Sequence, residues 1–278
     1  MSEHDSASGP DTPPPSLDLS VPHSARVWNY WLGGKDNYEA DRIAGDGVLA
    51  TIPDIPDGAR AERAFLTRVV RYLVEEAGIR QFLDIGTGLP TADNTHEVAQ
   101  RLAPESTIVY VDNDPLVMVH ARALLTSTPE GTTDYIEADL REPEAILAKS
   151  SETLDFDRPI GLMLLGVVNH VVDDAESYDV VSRLVQAMPP GSHLVLTHST
   201  AEIHGEPMRQ VMREMNERGG TPICARDQRQ IEGYFDGTEL LEPGVVTCSQ
   251  WRPEDTGPGP LAAVPDPVYL FGGVGRID

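Results

Sequence analysis

The chain has 278 residues, of which 40% are hydrophobic and 24% charged, so it is long and apolar enough to bury a substantial core. Its formal net charge of −24 disfavours binding to the phosphate backbone of nucleic acids and to acidic membranes, so a small molecule or a protein is the favoured partner. Two cysteines, a polar N-terminus without the apolar core of a signal peptide, and no apolar run long enough to cross a bilayer indicate a cytoplasmic protein.

The N-terminal part of the chain carries helical patterns but no strand pattern. Residues 1–20 are rich in Pro, Ser and Asp and are predicted to form a disordered tail. In ARVWNYWLGGKDNY (25–38) apolar residues recur at helical spacing up to a Gly-Gly pair, which predicts a short helix that ends there. Two more helices are predicted to begin at Asn37 and at Asp57. We therefore expect residues 21–78 to form an N-terminal helical extension, or lid.

From residue 79 onward, short apolar strands alternate with amphipathic helices. That order builds a parallel sheet with right-handed crossovers and with helices on both faces. Strands are predicted at 81–85, 108–112, 135–138, 159–168 and 193–197, and helices at 97–102, 115–125, 143–149 and 178–188.

The last third of the chain has a different pattern. After helical patterns at 207–218 and 227–234, two strands are predicted around 245–250 and 268–272. Only a Pro-rich loop joins these two strands, so they are most simply antiparallel. The sequence thus predicts an α/β, Rossmann-like, doubly wound sheet that is mostly parallel and ends in an antiparallel pair, in one domain at residues 79–278.

A glycine-containing turn follows the first predicted strand. The segment FLDIGTGLPT (82–91) places Asp84 at the end of the strand and Gly86 and Gly88 directly after it. Glycine permits a sharp turn and lets a ligand approach the backbone. Ligands of open parallel sheets bind at the carboxyl ends of the strands. A carboxylate at this position disfavours a phosphate and favours a cationic group.

The next two strands also end in acidic residues. YVDND (110–114) offers Asp112, with Asp114 as the second choice, to accept both hydroxyls of a ribose. EADL (137–140) offers Asp139 to accept from the amino group of adenine. Three acidic strand ends, with a glycine turn at the first, predict a pocket for a cationic adenosyl ligand. S-adenosylmethionine (SAM), which carries a sulfonium and an ammonium group, is such a ligand.

These motifs resemble those of class I SAM-dependent methyltransferases. More closely, the chain resembles the actinobacterial S-adenosyl methyltransferase family, formerly a domain of unknown function. The resemblance covers about residues 20 to 278 and implies a seven-stranded methyltransferase fold with an antiparallel last strand, and SAM as cofactor. It implies no particular methyl acceptor. The segments that carry it are RVWNYWLGGKDNY, FLDIGTGLPT, YVDNDP, ADLREP, RPIGLMLLGVVNHV, PPGSHLVLTH and a closing WRP.

The loop after the first strand departs from the usual acidic-x-Gly-x-Gly-x-Gly pattern. The third glycine position is Pro90, which fixes its own φ and restricts Leu89. We therefore expect a differently shaped pocket at the methionine end of SAM. The predicted cofactor-binding residues are Asp84, Gly86, Thr87, Gly88, Asp112, Asn113, Asp139, Leu140, Asn169 and Tyr30.

Two histidines are candidates for the chemistry. Methyl transfer requires alignment and desolvation, and a general base only when the acceptor must lose a proton. His170, after the fourth strand, is the predicted catalytic base, and the alternative is a histidine that packs near adenine or caps a helix. His198, after the fifth strand, is predicted to face the substrate, with a loop hydrogen bond as the alternative. Asn169 either lines the cofactor pocket or caps a turn. No HExxH or metal-spaced His/Asp cluster occurs, so no metal site is expected.

The aromatic segment near the N-terminus has two interpretations. Trp28 and Trp31 either form a packing helix over the sheet, or belong to a segment above the cofactor in which Tyr30 contacts SAM and Tyr38 contacts the substrate. The arginine-rich helix at 58–73 is predicted to present a solvated charged face and an aliphatic core face.

The sequence favours a SAM-dependent methyltransferase that acts on an unidentified small molecule. A non-catalytic protein that senses SAM or S-adenosylhomocysteine (SAH) is the alternative, because the binding residues are clearer than the catalytic ones. An NAD-dependent oxidoreductase is disfavoured, since the loop lacks the last glycine of GxGxxG and no Tyr-x-x-x-Lys motif is evident. The oligomeric state is left open.

Overall fold

The structure, a computed structural model, describes residues 19–90, 93–124, 126–253 and 264–278, with the side chains of 122–124 excluded. Nearly all of the predicted disordered tail, residues 1–20, lies outside the described residues.

Three helices precede the sheet, as the sequence predicts: α1 (Ser24–Trp31), α2 (Glu39–Thr51) and α3 (Ile55–Glu75). α1 ends before Gly33, whose φ of 77° lies in the left-handed region that favours glycine after a helix. α2 begins after Tyr38, because the Asp41 carboxylate accepts a hydrogen bond from Tyr38 N (2.8 Å) and caps the first turn. α3 begins two residues before the predicted Asp57, with a proline in its first turn.

Five parallel strands form the centre of the sheet: β1 (Gln81–Ile85), β2 (Thr107–Asp112), β3 (Thr132–Glu137), β4 (Gly161–Leu165) and β5 (His193–Ser199). They lie in the order β3-β2-β1-β4-β5. The order reverses between β1 and β4, and the crevice at such a switch point is where open α/β sheets bind ligands. The predicted parallel sheet is confirmed. The helices between its strands are α4 (Thr95–Leu102), α5 (Pro115–Leu124), α6 (Pro143–Ser150) and α7 (Asp174–Gln186).

The predicted antiparallel end of the sheet is confirmed with one addition. After α8 (Glu206–Glu217) and α9 (Gln228–Glu232), β8 (Leu270–Arg276) pairs antiparallel with β5. It also pairs with β6 (Glu239–Leu240) and β7 (Val246–Thr247), so the described chain has eight strands where seven were implied. The strand predicted around 245–250 is reduced to β7, since the chain turns after it, with Gln250 N donating to Thr247 O at 2.8 Å.

Two hydrophobic clusters cover the two faces of the sheet. Successive residues of a strand belong to different clusters, because strand side chains alternate between the faces: Phe82 belongs to the first cluster and Leu83 to the second. The buried face of α3 is part of the first cluster, where the Phe65 ring packs edge-on against Trp251 at a centroid distance of 5.5 Å. α3 thus covers the sheet directly. The division into an extension at 21–78 and a domain at 79–278 stays a prediction.

Candidate functional site

A cavity of about 240 Å³ lies at the carboxyl ends of the strands and is also lined by α1, α3 and α8. The sequence motifs that end four different strands meet in it. The predicted site residues that line it are Asp84, Gly86, Thr87, Gly88, Asp112, Asn113, Asp139, Leu140, Asn169 and His170.

Two hydrogen bonds connect the glycine turn after β1 to β2. Gly86 N donates to Val111 O at 2.8 Å, and Gly88 N donates to Asp112 Oδ2 at 2.9 Å. The φ of Gly86 is 78°, and a Cβ at this position would overlap with the side chain of Val167. Only glycine therefore permits the turn to lie this close to the loop after β4.

Asp84 is a buried carboxylate at the end of β1. It is 5% exposed, and its Oδ2 accepts a hydrogen bond from Thr95 Oγ1 at 2.6 Å. Burial raises the pKa of Asp84 to about 6, although the hydrogen bond from Thr95 and the charge of Arg63 act in the opposite direction. Asp84 is therefore mostly ionised at neutral pH, on the wall of the cavity.

Asp112 holds the second strand end in place. Its two carboxylate oxygens accept from Gly88 N and from Asp114 N, each at 2.9 Å. Burial raises the pKa of Asp112, and these two backbone hydrogen bonds oppose the shift. Each carboxylate oxygen has a second lone pair, so the group can also accept from a ligand. Asp114 Oδ2 lies 3.1 Å from Nδ1 of His23, the residue before α1, which brings α1 to the end of β2.

Arg141 joins the third and fourth strand ends. Its backbone N–H donates to Asp139 Oδ1 at 2.9 Å, and its Nη2 donates to the backbone oxygen of His170 at 2.7 Å. His170 Nδ1 lies 2.7 Å from Pro222 O, which can only accept, so Nδ1 carries the proton and Nε2 the lone pair of the neutral ring. Burial lowers the pKa of His170, so the ring is neutral at physiological pH.

Asn169 lies on the cavity wall, and its hydrogen bonds are long-range contacts, not a turn cap. It is 5% exposed. Its Oδ1 accepts from Ser199 N at 2.9 Å, and its backbone oxygen accepts from Cys224 N at 2.9 Å. Asn169 therefore connects the loop after β4 to the end of β5 and to the segment after α8.

Tyr30 and Tyr38 do not line the cavity. The Tyr30 hydroxyl donates to Asp46 Oδ1 on α2 at 2.7 Å, so the side chain faces α2. The ring of Tyr38 has the guanidinium of Arg26 5.6 Å from its centroid. Three neighbours of Tyr30 on α1 line the cavity instead, namely Trp28, Asn29 and Trp31.

His198 also lies away from the cavity. β5 extends to Ser199, so His198 is inside the strand and fully buried. Its Nδ1 is 2.8 Å from Ser199 O, and Arg226 Nη1 donates to its Nε2 at 2.8 Å. Burial lowers the pKa of His198 to about 3, and the charge of Arg226 acts in the same direction. These contacts match the hydrogen-bonding alternative for this residue.

A family model described as S-adenosyl methyltransferase matches residues 10–278. The chain belongs to this family. The solved structure of a DUF574 family protein from Streptomyces avermitilis is 42% identical, with a TM-score of 0.87 over 94% of this chain and 99% of that one. A protein from Thermobifida fusca assigned as a methyltransferase is 40% identical, with a TM-score of 0.81 over 97% and 100% of the two chains.

More distant structures show the fold alone. A SAM-dependent methyltransferase from Anabaena variabilis is 14% identical, with a TM-score of 0.53 over 85% of this chain and 95% of that one. No curated protein matches the chain.

The protein is therefore a SAM-dependent methyltransferase with a Rossmann-like fold, and the residues that line its cavity suit SAM. The turn at Gly86 and Gly88 presents backbone without side chains, and the carboxylates of Asp84 and Asp112 line the same cavity. This donor set suits a ligand with a ribose at one end and a cationic amino acid at the other.

Two charged residues of α3 line the cavity, which was not predicted. Glu62 and Arg63 line the cavity, whereas this helix was expected to present its charges to solvent. Burial lowers the pKa of Arg63, and the charges of Asp84 and Glu62 oppose the shift. A signal was present in the sequence, because Glu62 precedes Phe65 and Val69 at helical spacing and so interrupts the apolar face of the helix.

Two other features of the described residues bear on function. None of the helices there is long and apolar enough to cross a membrane. The same residues contain no group of three or more His, Cys, Asp or Glu side chains placed to hold a metal ion.

Proposed function

We propose that this enzyme transfers the methyl group of SAM to a small-molecule acceptor. The observation that carries the proposal is the lining of the cavity, to which α1, α3 and α8 contribute as well as the strand ends. An acceptor must enter this space to reach the cofactor. The net charge of −24 supports the same conclusion, because a nucleic acid or an acidic membrane surface would be repelled.

In this proposal SAM lies across the ends of the first three strands. Asp112 accepts the ribose hydroxyls, Asp139 accepts from the adenine amino group, and Asp84 lies at the methionine end. The turn of Gly86, Thr87 and Gly88 lets the cofactor approach the backbone, and Asn113, Leu140 and Asn169 complete the wall. When bound, SAM supplies an electrophilic methyl group on its sulfonium.

His170 belongs to the adenosine side of this arrangement. Arg141 connects its backbone to Asp139, the residue assigned to adenine. This position favours the packing role of His170 over the catalytic one. The variant His170→Gln tests the prediction that His170 is the base. If His170 instead packs near adenine, the variant should bind SAH more weakly than wild type.

The acceptor class can be tested with methyl-labelled SAM and three cellular fractions: small molecules, RNA and proteins. We expect label in the small-molecule fraction only. Asp112→Ala should reduce the labelling by at least about ten-fold, since it removes the ribose acceptor, and Asp157→Ala, at an exposed site, should leave it unchanged.

Two outcomes would contradict the proposal. Label in RNA or protein would show a macromolecular acceptor. If no fraction is labelled although saturating SAH stabilises the protein, by about 2.7 kcal/mol at 100 times its Kd, the chain would instead be a sensor of the cofactor.

A further inference from the structure

The cavity extends beyond the strand ends into an apolar chamber, defined here by Trp28, Trp31, Leu66, Met208 and Met212. All five line the cavity, and all belong to the first hydrophobic cluster or pack against it. The two tryptophan rings meet edge-on, with centroids 5.9 Å apart. Large rigid rings of this kind offer a flat apolar contact surface for a ligand.

α8 provides the adaptable wall of the chamber. Met208, Met212 and Met215 recur at i, i+4 and i+7, so they share one face of the helix, and all three line the cavity. Methionine side chains are unbranched and polarizable, and they adjust to ligands of different shape. The chamber thus has a rigid aromatic wall on α1 and a deformable wall on α8.

Two polar groups interrupt this apolar lining. Glu62 is 6% exposed, and its Oε1 accepts a hydrogen bond from Thr197 Oγ1, which itself accepts from Gly166 N at 2.8 Å. Tyr269 is 3% exposed and lines the same cavity. Its hydroxyl has no hydrogen-bond partner among the described residues. A buried hydroxyl without a partner is costly, so it indicates a group that a ligand satisfies.

Glu62 and Tyr269 lie on the same side of α3. The Tyr269 ring occupies the space over Gly58, where a Cβ would overlap with it. Gly58 is one helical turn before Glu62, so both positions share one face of the helix. Burial raises the pKa of the Tyr269 hydroxyl, and the charge of Glu62 raises it further, which is consistent with their proximity.

We propose that the apolar chamber is the acceptor site, that it takes an apolar, ring-containing small molecule with a hydroxyl or amino group, and that Glu62 receives the proton of that group. The proposal rests on the proposed function. It adds the acceptor class and a catalytic residue that the sequence motifs did not indicate.

The chemical step balances without a further reactant. The acceptor oxygen or nitrogen forms a bond to the methyl carbon while the bond from that carbon to sulfur breaks, and the electron pair of the broken bond stays on sulfur. The acceptor proton passes to the Glu62 carboxylate and then to solvent. Tyr269 donates its unpaired hydroxyl hydrogen bond to the acceptor or to Glu62 and so orients them.

The environment of Glu62 suits this role. Burial raises the pKa of Glu62 to about 6, against the hydrogen bond from Thr197 and the charge of Arg63. A base acts most effectively when its pKa is close to the working pH. His170, by contrast, is connected to Asp139 through Arg141 and so lies toward the adenosine end.

The first experiment separates a role toward the acceptor from a role toward the cofactor. SAH binding is measured by calorimetry for wild type, Glu62→Gln and Tyr269→Phe, with Glu75→Gln, an exposed change on the same helix, as the matched control. We expect all Kd values to agree within about three-fold. A loss of about ten-fold or more in Glu62→Gln would assign Glu62 to the ammonium group of the cofactor and overturn the proposal.

The second experiment uses three matched probes on the SAH complex, with tryptophan fluorescence as the readout. Thymol is an apolar phenol, p-cymene is thymol without its hydroxyl, and p-isopropylbenzoate carries a carboxylate. We expect thymol to bind at least about ten-fold more tightly than p-cymene, since its hydroxyl satisfies Glu62 and Tyr269. The carboxylate probe should be excluded by the charge of Glu62.

Single-residue variants then test which side chains cause these binding preferences. Glu62→Gln should improve binding of p-isopropylbenzoate by about ten-fold, because it removes a like charge. Tyr269→Phe should reduce the preference for thymol, and Trp31→Ala should weaken thymol and p-cymene alike. The proposal is overturned if thymol does not bind to the SAH complex, or if Glu62→Gln leaves the exclusion of the carboxylate probe unchanged. Failure of the wild type to bind SAH would instead contradict the proposed function itself.

Discussion

At the scale of single residues, Glu62 is the most informative side chain. It occupies a position on α3 where the apolar pattern calls for a hydrophobic residue, and it is buried against Thr197 of β5. The pKa of Glu62 is raised from its ordinary 4.5 to about 6, so burial makes the ionised form unfavourable in the folded state. An ionisable group that costs stability and lines a cavity is typical of a site retained for function.

This cost predicts a pH-dependent effect of Glu62→Gln. The folded state binds the Glu62 proton more tightly than the unfolded chain, so the free energy of unfolding falls as the pH rises from about 4.5 through 6. A glutamine at position 62 does not titrate, so the variant does not lose this part of the free energy of unfolding. The stability of Glu62→Gln relative to wild type should therefore increase by about 1 kcal/mol between pH 5 and pH 8 in urea denaturation.

Glu75→Gln provides the reference, because Glu75 is exposed on the same helix. A stability difference between Glu62→Gln and wild type that stays constant over this pH range would show that Glu62 titrates as it does in the unfolded chain.

At the scale of elements, one buried ion pair fixes α1 on α2. Asp41 is fully buried, and its Oδ1 accepts from His23 N (2.9 Å) and from Arg26 Nε (3.1 Å). Its Oδ2 accepts from Tyr38 N. The carboxylate thus connects the start of α1, the middle of α1 and the start of α2. The tryptophans that line the apolar chamber depend on this arrangement for their position.

Asp41→Ala should therefore weaken the packing of α1 against α2. It leaves the Arg26 guanidinium buried without its carboxylate, which typically costs about 3 to 5 kcal/mol. Hydrogen exchange should become faster for the amides of residues 24–31, while the amides of β1 and β5 keep their protection. SAH should protect α1 less in the variant than in wild type.

Asp46→Ala is the control for this element. It removes an exposed hydrogen bond from Tyr30 to α2 and should change stability by less than about 0.5 kcal/mol. Equal exchange in α1 of both variants would show that the buried pair does not hold the helix.

At the scale of the whole molecule, the net charge is the property that most affects stability. A formal charge of −24 on 278 residues produces self-repulsion that opposes the compact state. Many of the exposed ion pairs, such as Arg183 with Glu144, are on the surface and contribute little against it.

Salt should therefore stabilise this protein. Raising NaCl from about 10 mM to 150 mM shortens the Debye length from about 30 Å to 8 Å and screens the repulsion. We expect the Tm to rise by at least about 2 °C at constant pH, measured by calorimetry. Sucrose at matched osmolality separates screening from general preferential exclusion. A Tm that falls with salt would mean that attractive pairs outweigh the repulsion.

Most of the fold was predictable because its signals are local. The central parallel strands β1, β2, β4 and β5 are short and largely apolar, and glycines and prolines near the strand ends mark the turns. β6 and β7 were not predictable as seen here, since each has two residues and exists only through pairing with β8. The place of His198 inside β5 likewise follows from pairing with β8, which continues the strand to Ser199.

The sequence by itself determined the parallel part of the sheet, the glycine turn and the acidic strand ends, and through them the methyltransferase family. These features are encoded in contiguous segments, and the carboxyl ends of parallel strands necessarily share one edge. Only the tertiary structure decided which side chains of α1, α3 and α8 enter the cavity. Glu62, Trp31, Met212 and Tyr269 are distant in sequence and meet only when these helices and β8 pack around the sheet. Helical periodicity predicts that Trp31 and Met212 are buried, but burial within the core and burial against a ligand give the same pattern.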